Sequence, residues 1–236
     1  MPLILVTTDR RAPTGEHTGP RVRPRRSEAF IVEAYVWAVR EAGGTALLLP
    51  PGEEHIEEAL AYAHGIVLTG GHFDIHPTHY GESVQGRLDR VDAKRTDMEL
   101  RLAALAMKAD VPLLGVCGGM QAIAVAAGCT LVQDLQTDLE HEQPSDPAKP
   151  WHRIQTSELA QQLLGPSCQV NSTHHQAVER IAPPLKACAW AEDGTIEALY
   201  GPSQRFLFAV QWHPELLGDL RPYKALIEAA KTSLTR

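Results

Sequence analysis

The stretch VPLLGVCGGMQAIAVAAG, running from Val111 to Gly128, constrains the fold more than any other part of the chain. Val111, Leu113, Leu114 and Val116 make a short apolar run of the kind a buried strand needs, and Pro112 sits near its start, where a missing N–H costs little. After Gly118-Gly119 comes an Ala- and Val-rich segment with no breaker before Gly128, which reads as a short buried helix closed by a glycine. Cys117 therefore stands on the hinge between the two elements. A buried strand that feeds a buried helix belongs to a sheet covered by helices.

The chain leading to that hinge alternates in the same way. LILVTT (3–8) is an apolar strand, and a polar loop rich in proline and arginine follows it through Arg26. In SEAFIVEAYVWAVREAGG, Ser27 is placed as a helix cap, apolar residues fall at helical spacing, and Gly43-Gly44 end the helix. TALLLPP and GIVLTGG read as strands, EEHIEEALAYA and DRVDAKRTDMELRLAALAMKAD as helices. Beyond the hinge, CTLVQDL, CQVNSTHHQAV, KACAWAED, TIEALYG and FLFAVQWHPE look like further strands, partly antiparallel, with residues 136–153 as an ordered surface loop. The expected architecture is α/β in three layers, a mostly parallel central sheet flanked by helices. Without a repeat, low-complexity tract or linker, residues 1–236 are expected to form a single domain.

Bulk properties narrow the function. A formal charge of -7 over 236 residues argues against a non-specific nucleic-acid binder. Four cysteines, at 117, 129, 168 and 188, show neither CxxC pairing nor the density of a disulfide scaffold. The apolar run at the N-terminus is too short for a signal peptide, and nothing approaches a membrane span, so a reduced cytoplasmic compartment is expected.

At the hinge, Gly115, Cys117 and Gly119 give G-x-C-x-G, the shape of a nucleophile elbow with sulfur in place of a serine hydroxyl. So sharp a turn requires small flanking residues, and it aims the side chain above the carboxyl edge of the sheet, where open α/β sheets place their ligands. The helix N-terminus beyond it lowers a thiol pKa, and its first amides, beginning with Gly118 N–H, are free to hold an oxyanion. A buried cysteine serving as a small hydrophobe is the plain alternative; Cys129, Cys168 and Cys188, which lack this setting, are read that way. A thiolate needs a base, and FAVQWHPE ends an apolar strand in His213. Pro214 pushes His213 toward extended angles, in which Glu215 points the same way as His213 and orients the imidazole.

LLGVCGGMQ, TLVQDL, VNSTHHQAV and VQWHPE, in that order, resemble the class I glutamine amidotransferase superfamily, whose fold is flavodoxin-like. Together with VLTGGHFDIHPTHYG they look like its γ-glutamyl-γ-aminobutyrate hydrolase branch, peptidase family C26. The resemblance implies a Cys117-His213-Glu215 triad that cleaves the amide bond of a small γ-glutamyl amine through a thioester, giving glutamate and a free amine. It also implies a second oxyanion donor at Gly71 facing Gly118, and a contact of Gln121 with the glutamyl group. The loop NSTHHQ would line the pocket with Ser172, His174 and His175. The same triad would serve a glutaminase subunit that supplies ammonia to a separate synthetase, the alternative reading.

No cofactor is expected. The adjacent histidines invite a metal reading, yet no HExxH-type spacing accompanies them, so no metal is expected either. His72, His76 and His79 are assigned to a loop near the site in which Pro77 interrupts any helix and Asp74 bonds local amides. Partners reduce to the small γ-glutamyl substrate and a possible homodimer, with neither nucleic acid nor membrane. One departure stands out: many relatives carry arginine directly after the nucleophile, where this chain has Gly118. Arg21, Arg23, Arg25 and Arg26 make either a solvated basic loop or a lure for a substrate's distal carboxylate.

Overall fold

The structure is a computed structural model and describes residues 1–11, 27–52 and 55–232. The arginine loop of residues 20–26 lies outside them. The first strand, β1 (Leu3–Thr7), is followed by a small antiparallel ribbon of β2 (Asp9–Arg11) and β3 (Glu28–Phe30). This ribbon corrects the expectation for Ser27. Residues 28–30 spend their backbone hydrogen bonds on β2, so α1 (Glu33–Glu41) starts only after Val32, which takes the N-cap position. Next come β4 (Thr45–Leu49), α2 (Ile56–Tyr62), β5 (Gly65–Leu68), a 3₁₀ turn (Pro77–Tyr80) and α3 (Ala93–Lys108). Pro77 opens that turn rather than interrupting a helix, because its missing N–H falls where no partner is needed.

The hinge is built as its sequence requires: β6 (Leu113–Val116) runs into α4 (Gly118–Ala126) with Cys117 alone between them. Thereafter the chain forms β7 (Leu131–Val132), β8 (His152–Thr156), α5 (Glu158–Leu164), β9 (Ser167–Val170), β10 (Ala177–Val178), β11 (Lys186–Ala191), β12 (Ile196–Tyr200), β13 (Leu207–Val210) and α6 (Arg221–Lys231). β8, α5 and α6 are not among the sequence expectations.

Nine strands make one sheet in the order β4-β1-β5-β6-β13-β12-β11-β8-β9. The pairs from β4 through β13 are parallel, and those from β13 through β9 antiparallel. Alternate residues of the buried strands go to opposite faces. Leu114, Val116, Phe208 and Val210 join α1, α5 and α6 in one core cluster, while Leu113, Leu207 and Ala209 join α2, α3 and α4 in the other. The expected three layers are present.

Register decides where the site lies. Val210 of β13 sits opposite Val116 of β6, and Leu68 of β5 opposite Gly115. Three neighbouring parallel strands thus release their next residues (Thr69 onward, Cys117, and Gln211 onward) at one carboxyl edge. The two elbow glycines have separate steric reasons. A Cβ at Gly115 would fall 2.6 Å from Ile123 Cδ1 and 2.9 Å from the Gly119 carbonyl, and one at Gly119 would overlap the Leu68 carbonyl oxygen. At Gly118 a Cβ meets the Phe73 ring at 3.5 Å and the Gly70 Cα at 3.8 Å, both ordinary contacts. Gly119→Ala is therefore expected to cost roughly 3 kcal/mol or more in urea unfolding, since backbone must move. Gly118→Ala should stay within about 1 kcal/mol of wild type. Equal effects at both positions would contradict this packing.

Candidate active site

Cys117 has φ 51° and ψ -110°, a conformation that non-glycine residues rarely adopt. Two hydrogen bonds help to hold it there: its N–H donates to Val210 O at 2.8 Å, and its carbonyl accepts from Met120 N at 2.9 Å. The imposed angles turn the thiol away from the sheet toward the Thr69-Gly70-Gly71 turn. A Cβ at Gly70 would come within 2.8 Å of His213 Cε1 and 3.1 Å of Cys117 Cβ, so the two side chains converge over that one glycine.

His213 is held at both ends. Asn171 clamps its backbone, accepting from His213 N at 2.8 Å and donating to His213 O at 3.2 Å. On the ring, Nδ1 lies 2.7 Å from Glu215 Oε1, the short distance of a charge-assisted pair, and Glu215 is buried. The Tyr35 hydroxyl stands 3.4 Å from the same nitrogen and accepts the Gly70 N–H at 2.9 Å, which ties ring and turn together.

Charge follows from this packing. Burial pushes the Cys117 thiol up, but the charge of His213 and the hydrogen bond to its ring outweigh burial and leave the thiol below its ordinary value. For His213 burial acts downward, and the charges of Glu215 and the thiolate carry it well above the usual imidazole range. In the other three cysteines burial prevails: each is raised, Cys129 and Cys168 despite nearby arginines and Cys188, where burial acts alone, to about 12. Their assignment as structural residues agrees with that contrast.

The turn opposite the thiol rests on a buried cation. Arg95 is fully enclosed, donates to the carbonyls of Thr69 at 2.8 Å and Gly70 at 3.0 Å, pairs with Glu99 at 3.1 Å and lies 4.2 Å above the Phe73 ring. Gly71 is glycine because a Cβ there would overlap the Arg95 guanidinium. Removing one member of such a buried set typically costs about 3–5 kcal/mol, so this turn is firmly placed.

A cavity of about 270 Å³ opens over the thiol. Gly71, Gly118, Gln121, His174 and His175 all line it, and so does His72. Gln121 is anchored by donation to Gln176 O at 2.9 Å and Gln211 Oε1 at 3.3 Å. Ser172 does not line it. Its hydroxyl is fully buried and donates to His141 O at 2.8 Å, while its amide donates to Gln143 Oε1, so the neighbouring Thr173 faces the cavity in its place. Asp74 also departs from expectation. It bonds the Asp89 amide, far along the chain, and His175 Nε2 at 2.9 Å, instead of amides of its own turn. Asp89, Arg90 and Glu142 complete the rim and carry no motif of their own. Gln211 and Asn171 lie inside VQWHPE and VNSTHHQ, and their positioning roles arise only from tertiary contacts, with Gln121 and with the His213 backbone.

The sequence matches the family described as peptidase C26 over residues 2–215. A Mycobacterium tuberculosis protein provisionally named a glutamine amidotransferase is 38% identical over 210 residues, covering 85% of this chain and 68% of its own. The γ-glutamyl-γ-aminobutyrate hydrolase PuuD of Escherichia coli is 33% identical over 201 residues, 78% of each chain. Among solved structures, a Thermoplasma acidophilum protein, provisionally described as one of the subunits of GMP synthase, superposes with a TM-score of 0.64 at 16% identity, covering 100% of this chain and 97% of that one. That likeness concerns the fold, which is the one expected. Within the described residues no helix is long and apolar enough to cross a membrane.

The two opposed shifts define a pH window. With the thiol lowered and the imidazole raised, both shifts favour the thiolate–imidazolium pair; acid protonates the sulfur, and base removes the ring proton. Alkylation of Cys117 by iodoacetamide should therefore show its inflection below the roughly 8.5 of a free thiol. Glu215→Gln should move that inflection upward, because the imidazolium loses its counter-charge. An inflection at the free-thiol value in the wild type would contradict the pairing.

Proposed function

The chain belongs to the peptidase C26 family, and from that premise we propose that it hydrolyses the γ-glutamyl amide bond of a small γ-glutamyl amine. The observation that carries the reading is a thiol in a strained strand-to-helix turn beside an imidazole whose far nitrogen is 2.7 Å from a buried carboxylate. In the proposed sequence, the Cys117 thiolate attacks the amide carbon while the amides of Gly118 and Gly71 receive the oxyanion. The tetrahedral adduct collapses as His213 gives its proton to the departing amine, leaving a thioester. Water then adds with loss of a proton to His213, and the C–S bond breaks to release glutamate and restore the ion pair. Glu215 keeps the ring oriented and balances its charge throughout.

Gln121 and Thr173 are suited to the glutamyl end, since both are polar residues on the cavity wall, with His174 and His175 forming the wall beside them. Glycine at 118 leaves the space beside Phe73 to the substrate. The reading is also supported by the likeness to a named γ-glutamyl-γ-aminobutyrate hydrolase. The competing role, ammonia supply to a synthetase, uses the same chemistry and is separated by substrate choice.

Glutamate release by the purified chain is the test, over a panel of γ-glutamyl amines and glutamine. Turnover of at least one γ-glutamyl amine should exceed that of glutamine tenfold or more in kcat/KM. Slow cleavage of glutamine alone would give the case to the ammonia-supplying role. Cys117→Ser should fold normally by circular dichroism and lose about 10⁴-fold or more of the activity, with Glu215→Gln losing less than His213→Ala. Full activity in Cys117→Ser would rule out the thioester.

A further inference from the structure

Away from the thiol, four side chains from four separate segments meet inside the antiparallel half of the molecule. Glu197 of β12 is fully buried, and three imidazole nitrogens face its Oε1: His141 Nδ1 at 3.5 Å, His152 Nε2 at 3.5 Å and His174 Nε2 at 3.7 Å. All three histidines are buried as well. Among the described residues, neither oxygen of Glu197 has a hydrogen-bond partner, and neither do His152 Nε2 and His174 Nε2. So many unpaired polar atoms pointing at one another in a dry interior would be costly without a shared cation.

The far side of each ring explains which form it takes. His141 Nε2 lies 2.9 Å from Asp193 Oδ2, His174 Nδ1 is 3.0 Å from Gln176 O, and His152 Nδ1 is 3.3 Å from Arg153 O. Each of those partners is an acceptor, so each ring donates outward and, in its neutral form, turns a lone pair inward, toward a carboxylate that also offers only lone pairs. His141 Nδ1 has one other neighbour, the Ser172 hydroxyl at 3.4 Å, whose proton is already given to His141 O. Outward donation to a carboxylate or carbonyl is the arrangement that fixes metal-bound histidines.

We propose that His141, His174 and Glu197, joined by His152, form a binding site for a divalent transition ion of the zinc type. The donor atoms of the first three lie within 4.8 Å of one another. Bonds of about 2.0–2.2 Å in tetrahedral geometry place donors about 3.4 Å apart, close to the separations from Glu197. Imidazole and carboxylate donors suit zinc, cobalt or nickel better than magnesium or calcium. His141 and His174 also line a second cavity of about 320 Å³, the side from which an ion would approach. The ion would displace any proton held between a ring and Glu197. It would tie β8, β12 and two loops together and fix the wall residue His174, whatever reaction occurs at Cys117. No sequence spacing could announce it, since the donors come from positions 141, 152, 174 and 197.

The test uses the full chain, stripped with dipicolinate and titrated with Co²⁺ and Zn²⁺. One equivalent of Co²⁺ should give the visible absorption of a four- or five-coordinate site, Zn²⁺ should displace it, and the melting temperature should rise. Glu197→Gln and His141→Asn should each abolish the signal, while Asp193→Asn, acting through His141, should weaken binding about 10- to 100-fold. His175→Asn tests the other close group, Asp74, Asp89 and His175, and should leave binding unchanged. Absence of stoichiometric binding to the wild type would overturn the proposal, as would binding lost in His175→Asn but kept in His141→Asn. The wild-type titration decides the matter even if Glu197→Gln fails to fold.

Discussion

The structure turns on the in-register parallel pairing of β6 with β13, which ends in the hydrogen bond from Cys117 N–H to Val210 O at 2.8 Å. Without that pairing the thiol and the imidazole would belong to unrelated parts of the chain. With it, Cys117 and the residues after Val210 leave the sheet side by side, and the same register along β5 delivers the glycine turn. Parallel strands cannot be joined by a tight hairpin, so each needs a crossover. Much of the later polypeptide serves to bring β13 back beside β6.

Close approach is the second requirement, and glycine supplies it where backbone meets backbone or buried side chain. Gly119 lets α4 lie against the Leu68 carbonyl, and Gly70 leaves room for both His213 and Cys117. Charge then works within that frame. Arg95 sits beneath the turn with its partners Glu99 and the Thr69 and Gly70 carbonyls, while Glu215 sits beneath His213, so each of these buried charges has a partner of opposite sign or a set of acceptors. The thiol is the exception among the cysteines because the charge and hydrogen bond of His213 outweigh burial, as Arg221 beside Cys168 does not, and not because it is exposed: Cys117 is only 6% accessible.

The parallel half of the fold is legible in the sequence because its strands are buried on both faces and read as unbroken apolar runs such as LILVT and LLGV. The candidate site is legible for a related reason: glycines that cannot be replaced flank the thiol, and proline fixes the backbone after His213. β8 escapes because its inward positions are His152 and Ile154, so HRIQT looks like loop. α6 goes unpredicted although Tyr223, Leu226, Ile227 and Ala230 follow Pro222 at helical spacing. Ser172 and Asp74 show a harder limit. Which way a polar side chain turns depends on hydrogen-bond partners elsewhere in the chain: the His141 carbonyl accepts from Ser172, and the His175 ring donates to Asp74. The His-Glu cluster is the extreme case, assembled wholly by tertiary structure.

The central claim is that the sulfur lifted onto the hinge forms a covalent bond to the glutamyl carbon during turnover. Rapid acid quench of the enzyme with excess γ-glutamyl substrate, followed by intact-protein and peptide mass spectrometry, tests it directly. The account predicts one added glutamyl group on the peptide that contains Cys117, released by hydroxylamine as a thioester should be. Steady turnover with no adduct in His213→Gln or wild type, or an adduct on any other cysteine, would contradict it.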